Sequence, residues 1–399
     1  MGASVVAAPR WQDALEPAAV EATADLDGRP DVALLFASAA WTESFPELLI
    51  RARQLTGAER LIGCGGQGVI GTEREVEAEP ALALLAMRLP GALLHAFHLT
   101  HERLVACQTA DDVRRLVGAP PDDVNGLLVL ADPFRLDCEG LLGALAAAYP
   151  SMPLVGGCAS GRAGEPATHL FLDDTVHAQG AVGLSVGGTY TVLACVAQGA
   201  QPIGDAWTIT GASGHVVTTI SNRPALEVLQ ETLQALPVER RVQAGGNLLV
   251  GLAMDEYRDR FGRGDFLIRN LLGYDPRSGA LAIGASPQVG QTIQFQVRDA
   301  EAASDDLRAS LERTRRALAE RQPVGALLCA CNGRGAGLFG RPSHDAAAVA
   351  EGLGRLPLAG LFCNGEIGPV GGRPYLHGFT ASLGLIVPTT PGSASPMSP

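Results

Sequence analysis

A short motif, Leu-x-Gly-x-x-x-x-Gly, occurs three times along the chain and each time closes the same kind of unit. An apolar run of strand length comes first, a helical stretch follows, and a second apolar run carries the motif. From a leucine of the first run to the motif leucine the interval is 27 residues in two copies and 31 in the third. The leucine pairs are Leu34 and Leu61, Leu127 and Leu154, and Leu327 and Leu358. Because this span is typical of a parallel crossover, each copy predicts one βαβ unit.

After the glycine turns the pattern changes to alternation of apolar and polar residues. Residues 181–186 and 190–197 follow the second copy, and residues 375–380 and 383–387 follow the third. Alternation with a period of two is typical of hairpin strands, which run antiparallel. The sequence therefore predicts an α/β fold of the mixed α+β kind, with repeated βαβ units followed by hairpins, mixed sheets and two pseudo-repeated domains.

Domain boundaries are expected where these patterns begin and end, and 399 residues suffice for two cores. The predicted segments are an N-terminal helix or lid at 1–30, an N-terminal domain at 31–236, a C-terminal domain at 237–387, and a disordered tail at 388–399. The most apolar window, residues 81–99, is interrupted by Arg88 and Pro90. We therefore expect no membrane-spanning segment and a cytoplasmic location.

Charge and residue types exclude several classes of function. A net charge of -12 argues against a nucleic-acid partner, because phosphate binding requires a basic surface. The sequence contains no Lys, which excludes P-loop nucleotide binding, Schiff-base chemistry and protein-kinase chemistry.

The 8 cysteines are scattered, and no Cys-x-x-Cys pair occurs. This usage is typical of free thiols in a reducing compartment. Cys329, Cys331 and Cys363 could supply three ligands to a metal ion, but no fourth ligand suggests itself for a closed site. The sequence therefore predicts neither a metal nor a cofactor.

Two predicted strands in the last quarter of the chain run directly into Asn-Gly turns. The strand at 326–331 is followed by Asn332-Gly333, and the strand at 358–362 leads through Cys363 to Asn364-Gly365. Such turns favour positive φ, which Gly adopts without steric cost and Asn tolerates. If the strands are neighbours, both turns lie at the sheet end where ligands bind in open α/β sheets.

A charged residue follows each turn, Arg334 after the first and Glu366 after the second. Arg is suited to hold a carboxylate with two hydrogen bonds and Glu to accept one from an ammonium, so the pair fits an amino acid. The alternative is that Arg334 and Glu366 pair with each other and hold the two loops together. Without a ligand, we expect them to lie close enough to satisfy each other.

Cys331 and Cys363 end their strands at the same edge. With His377 or His344 as the base, a thiolate there would make a hydrolase or transferase; the alternative is a small apolar core residue. His377 is either a contact to the ligand or a satisfied strand histidine. Ser343 or Asp345 is expected to cap the helix that starts near residue 346.

Several long motifs, among them CNGRG, FCNGEIGPVGG and LHGFTASL, resemble the FIST family. The resemblance covers residues 31 to 388 and implies a sensory module of the kind found in bacterial signalling proteins and some eukaryotic F-box proteins. Such a module binds a small ligand, an amino acid being the usual suggestion, and acts on a separate signalling protein, not on nucleic acid or a membrane. No catalytic residue is implied. The motif positions that we carry over as ligand-binding candidates are Asn332, Gly333, Arg334, Gly335, Cys363, Asn364, Gly365, Glu366 and His377.

Overall fold

The computed structural model describes residues 1–162, 164–258 and 260–390, which form two compact units. The first unit contains Met1–Val196, Leu307–Leu376 and the chain from Thr380 onward. The second contains Ala197–Asp306 and His377–Phe379. A compact unit therefore does not correspond to one continuous half of the sequence.

Most helices of the described residues are short, but one of them has 19 residues. They are α1 (Trp11–Thr23), α2 (Phe45–Thr56), α3 (His101–Val105), α4 (Ala110–Val117), α5 (Cys138–Ala148), α6 (Ala225–Gln234), α7 (Val238–Ala244), α8 (Ala300–Leu318), α9 (Ala336–Phe339) and α10 (His344–Leu353), with 3-10 turns at Ala39–Ser44 and Pro121–Asp123. None of the helices in the described ranges combines the length and the apolar character needed to cross a bilayer.

The strands form four mixed or antiparallel sheets. In chain order they are β1 (Gly2–Ala7), β2 (Val32–Ser38), β3 (Arg60–Gly66), β4 (Val69–Gly71), β5 (Arg74–Val76), β6 (Ala81–Met87), β7 (Ala92–Leu99), β8 (Gly126–Ala131), β9 (Leu154–Cys158), β10 (Leu170–Leu172), β11 (Thr175–His177), β12 (Ala181–Gly188), β13 (Tyr190–Gln198), β14 (Ala200–Ser213), β15 (Val216–Ile220), β16 (Arg223–Pro224), β17 (Leu248–Ala253), β18 (Phe266–Asp275), β19 (Ala280–Ile283), β20 (Thr292–Arg298), β21 (Gly325–Cys331), β22 (Leu358–Cys363), β23 (Glu366–Val370), β24 (Arg373–His377) and β25 (Thr380–Pro388).

Three of the sheets are each built around one parallel pair, and each pair comes from one copy of the repeat. The strand orders are β1-β6-β2-β3-β10-β11, β24-β23-β9-β8-β12-β7 and β13-β25-β21-β22-β4-β5. The parallel pairs are β2 with β3, β8 with β9, and β21 with β22. Antiparallel strands surround them, so the predicted mixed α+β class with βαβ units and hairpins is confirmed.

The first glycine of each motif is required by the same close approach in all three copies. A Cβ atom on Gly63, Gly156 or Gly360 would lie 1.7, 1.8 or 1.8 Å from a carbonyl oxygen of the neighbouring parallel strand. Those oxygens belong to the register partners Leu35, Val129 and Leu328. Only a residue without a side chain fits there, which explains why the motif recurs.

The three sheets of the first unit pack their inner faces around a common apolar core. This core includes Leu34 of β2, Leu128 of β8 and Leu361 of β22. Helices α1 and α2 cover the outer face of the first sheet, and α4 and α5 cover that of the second. The sequence predicts only a helix for residues 1–30, whereas the structure adds β1 before it, paired with β6.

The second unit holds one sheet, with the strand order β14-β20-β17-β18-β19-β15-β16. One face packs against α6 around residues such as Val250 and Phe295.

Near the C-terminus of the chain, β25 of the first unit runs to Pro388. Residues 391–399 of the predicted disordered tail lie outside the described residues.

Candidate functional site

The structure places the two Asn-Gly turns side by side. Strands β21 and β22 pair in register, with Cys331 opposite Cys363. The backbone N–H of Asn332 donates to the carbonyl of Cys363 at 3.0 Å, and its side-chain amide donates to Asn364 at 2.6 Å. The parallel pairing predicted from the repeat therefore brings both turns to one edge.

The same edge receives the ends of the other two parallel pairs. The Ser160 hydroxyl, just beyond β9, donates to the carbonyl of Phe362 at 2.6 Å and accepts from the N–H of Gln67 at 2.8 Å. The Phe362 N–H in turn donates to Gly68, and the Asn364 N–H donates to Cys158, each at 3.0 Å. All three motifs thus meet at one junction within the first unit.

Arg334 lies beneath this edge and binds Asp345, not Glu366 as expected. Its Nε and Nη2 donate to the two carboxylate oxygens of Asp345 at 2.5 and 2.8 Å, and both side chains are 1% exposed. Burial alone would raise the pKa of Asp345, but the guanidinium of Arg334 lowers it to about 2. The expectation that Arg334 and Glu366 would satisfy each other is wrong, because α10 supplies a nearer carboxylate.

The third guanidinium nitrogen of Arg334, Nη1, is buried and has no hydrogen-bond partner among the described residues. The guanidinium carbon lies 5.2 Å from the ring centroid of Phe339, which places it within cation–π range. Phe339 also stacks on the His344 ring, with 3.5 Å between centroids and 8° between planes. Arg334 is therefore held by an ion pair and an aromatic ring, with one donor left unused.

Glu366 is fully buried beside Cys363. One carboxyl oxygen accepts from the Thr380 N–H at 3.0 Å and the other from the Cys363 thiol at 3.3 Å. Burial raises the pKa of Glu366 to about 8, although these hydrogen bonds and Arg334 act in the opposite direction. At neutral pH the group is therefore mostly protonated, which leaves it poorly suited to bind an ammonium as a carboxylate.

Two acidic residues that the sequence analysis did not predict, Glu75 and Glu77, also belong to the site. Glu75 of β5 is 6% exposed, and one of its oxygens accepts the N–H groups of Asp345 and Ala346, both at 2.9 Å. Its other oxygen is buried without a partner among the described residues. Burial and the neighbouring Asp345 raise the pKa of Glu75 to about 7. Glu75 therefore takes the capping role in the first turn of α10 that was predicted for Ser343 or Asp345.

Glu77 binds the backbone at the start of α9, next to the candidate residue Gly335. Its carboxylate accepts the Ala336 N–H at 2.9 Å, and a Cβ on Gly335 would lie 2.3 Å from one of its oxygens. The sequence shows alternating acidic residues here, Glu73, Glu75, Glu77 and Glu79, but β5 covers only Arg74–Val76, so Glu75 alone among them lies on this strand. An acidic residue on the inward face of a short strand indicates a polar partner on that side.

The structure buries both the predicted cysteine Cys363 and the predicted histidine His377. Burial raises the pKa of the Cys363 thiol well above its usual range, so the thiol stays protonated at neutral pH. His377 is 2% exposed and belongs to the second unit, whereas the other candidates belong to the first. Among the described residues, no group of three or more His, Cys, Asp or Glu side chains is arranged to hold a metal ion.

The raised pKa of Glu366 predicts how stability depends on pH. The ordinary pKa of such a carboxyl is 4.5 and the folded value is about 8, so folded protein holds a proton that unfolded protein releases. The stabilisation is complete below pH 4.5 and is lost as the pH rises to 8, by about 1.4 kcal/mol per pH unit. Urea unfolding of the wild type and of Glu366→Gln at about pH 5, 6, 7 and 8 measures this decline in stability.

Glu366→Gln keeps an oxygen for the Thr380 N–H and should show a weaker decline than the wild type. The exposed Glu102→Gln serves as the control and should follow the wild type. Parallel pH profiles for all three proteins would contradict the assignment of a buried, protonated Glu366.

Comparison with known protein families identifies the class of this chain. Residues 31–223 match the FIST N domain and residues 225–369 match the FIST C domain. The chain therefore belongs to the FIST family, as the resemblance of its motifs predicted. FIST domains are associated with signal-transduction sensing.

Two mycobacterial relatives match nearly the whole chain, and a plant relative matches a shorter part of it. An uncharacterized protein of Mycobacterium tuberculosis is 39% identical over 97% of this chain and 99% of its own length. Another, from Mycobacterium bovis, is 37% identical over 97% of this chain and 98% of its own. An F-box/LRR-repeat protein of Arabidopsis thaliana is 34% identical over 22% of this chain and 17% of its own. A cyanuric acid hydrolase structure from A. caulinodans aligns over 97% of this chain and 98% of its own at 12% identity, with a TM-score of 0.36, too low to carry an argument.

Proposed function

We propose that this protein is a sensory module that binds a small molecule at the ends of β21 and β22 and signals to another protein. The observation that carries the proposal is the buried, unused Nη1 donor of Arg334. A buried donor without a partner costs about 1–3 kcal/mol, and native proteins rarely tolerate one without a reason. An acceptor on a ligand would remove this cost.

The surroundings of Arg334 support a binding role. Strand ends at a junction of sheets are where small molecules bind in α/β folds. Glu75, Asp345 and Glu366 all have displaced pKa values, near 7, 2 and 8, and such clusters are typical of functional sites. The thiol-dependent enzyme that the sequence left open would need a thiolate at Cys331 or Cys363, and the Cys363 thiol is buried and protonated.

The free donor also bears on the type of ligand. Asp345 already occupies Nε and Nη2 of Arg334, so a ligand carboxylate could not form the two-pronged contact expected from the sequence. A single acceptor, such as an amide or ring carbonyl, fits one remaining nitrogen. Amino acids and neutral amides therefore both belong in a first panel of compounds.

We propose a cytoplasmic location for the module. All 8 cysteines are free, and six of them are buried. Free thiols in this number are typical of proteins kept in a reducing compartment. The signalling partner would then be another cytoplasmic protein.

A thermal-shift panel of amino acids, amides and heterocyclic metabolites tests the proposal. At least one compound is expected to raise the melting temperature, since a ligand at about 100 times its Kd adds roughly 2.7 kcal/mol. Arg334→Lys keeps the charge but lacks the guanidinium fork, so it should lose the shift. Arg51→Lys, in an exposed ion pair with Glu16, is the matched control and should keep it.

Two results would contradict the proposal. One is a flat response of the wild type across the whole panel. The other is a compound that stabilises the wild type and Arg334→Lys equally, because its site would then lie elsewhere. Circular dichroism of Arg334→Lys establishes that it is folded before its response is compared.

A further inference from the structure

We propose that the site takes a planar heteroaromatic ligand, which binds in the slot that the Phe339 ring fills in this structure, against Arg334 and His344. The inference rests on the proposed function and names the class of ligand. Phe339 would then be an internal occupant that a free ligand displaces.

The shape of the slot is that of a flat ring. Phe339 lies parallel to the imidazole of His344, with 8° between their planes and 3.5 Å between their centroids. The guanidinium of Arg334 lies 5.2 Å from the same ring centroid. An imidazole and a guanidinium that both contact one ring select planar π-systems over saturated rings of equal size.

The short helix that carries Phe339 allows its ring to move out of the slot. It ends α9, a helix of four residues, which is too short to be stable by itself. Gly335 and Gly340 flank this helix with φ values of 76° and 67°, a region that favours glycine. Phe339 is only partly buried, and Ala336 and Gly337 are exposed, so α9 can move without opening the core.

The groups at the edge of the slot determine which substituents the ligand ring should carry. Nη1 of Arg334 is an unused donor, which calls for an acceptor on the ligand, such as a carbonyl oxygen or a ring nitrogen. Glu75, Glu77 and Asp345 surround the segment with carboxyl groups, and Arg334 is already paired. An anionic ligand would be repelled, so we expect an uncharged or cationic one.

Calorimetric titration of the full chain with nicotinamide tests the inference, with cyclohexanecarboxamide as the non-planar probe that carries the same amide. Phe339→Ala removes the occupant and should bind nicotinamide about tenfold more tightly than the wild type. It should not gain affinity for cyclohexanecarboxamide. Leu338→Ala, on the same helix and also half-buried, is the control and should bind nicotinamide as the wild type does.

Phe339→Leu keeps an apolar contact, and it is the variant to titrate if Phe339→Ala does not fold. The inference is overturned if the folded variant gains no affinity for nicotinamide, or gains equally for both probes. If a panel compound still binds in a manner that requires Arg334, the proposed function survives that failure. A gain for nicotinamide that is unchanged by Arg334→Lys would contradict both the contact with Arg334 in the slot and the proposed function.

Discussion

Substituting alanine for Asp345 is expected to lower the free energy of unfolding by about 3–5 kcal/mol. Asp345 and Arg334 are each 1% exposed, and Asp345 takes two of the three guanidinium nitrogens. Removing it leaves a buried positive charge that cannot lose its proton at any ordinary pH. Urea unfolding followed by far-UV circular dichroism at neutral pH measures the loss.

An exposed ion pair of the same unit provides the control. Glu16→Ala breaks the pair with Arg51, whose side chains are 60% and 44% exposed, and should cost at most about 1 kcal/mol. The double variant Arg334→Met, Asp345→Leu removes both charges and should recover much of the loss. Equal costs for Asp345→Ala and Glu16→Ala would contradict the buried, paired arrangement of Arg334.

Substituting alanine for Gly360 is expected to cost about 3 kcal/mol or more. The added Cβ would lie 1.8 Å from the carbonyl oxygen of Leu328, in the parallel strand that pairs with it. That oxygen belongs to backbone held in the sheet, so it cannot move aside as a flexible side chain would. The same urea titration, followed by far-UV circular dichroism, measures the effect.

Gly143→Ala is the matched control, because a Cβ at this position of α5 meets nothing within 4 Å. It should stabilise the protein by up to about 1 kcal/mol, since alanine favours a helix more than glycine does. If Gly360→Ala were as well tolerated as Gly143→Ala, close contact would not explain the repeated glycine. Gly63→Ala and Gly156→Ala should behave as Gly360→Ala does, because their surroundings are equivalent.

Much of the fold could be predicted because it depends on local patterns. The 27-residue interval from Leu34 to Leu61 reports a strand, a crossover helix and a second strand, and β2, α2 and β3 are what the structure contains. The same reasoning placed Asn332 next to Asn364, since parallel strands in register end together. The strand β1 escaped prediction because its pairing with β6 is distant in sequence.

The partners of the site residues could not be predicted in the same way. Three carboxyl groups follow Arg334 in the sequence, and composition does not rank Asp345 above Glu366 as its partner. Glu75 and Glu77 reach the site from a hairpin about 260 residues away in sequence, where no local pattern connects them to Ala336 or α10. The alternation of Glu73, Glu75, Glu77 and Glu79 does not identify a partner, and Glu75 alone among them lies on β5.

The sequence by itself determined the three βαβ units, their turns and the class of protein, because strand periodicity, glycine placement and motif likeness are properties of neighbouring residues. Only the tertiary structure decided which carboxylate neutralises Arg334, which peptide groups stay available, and that Phe339 covers the guanidinium. Those outcomes depend on competition among buried charges, in which a difference of an ångström or two changes the pairing energy by more than any local preference does.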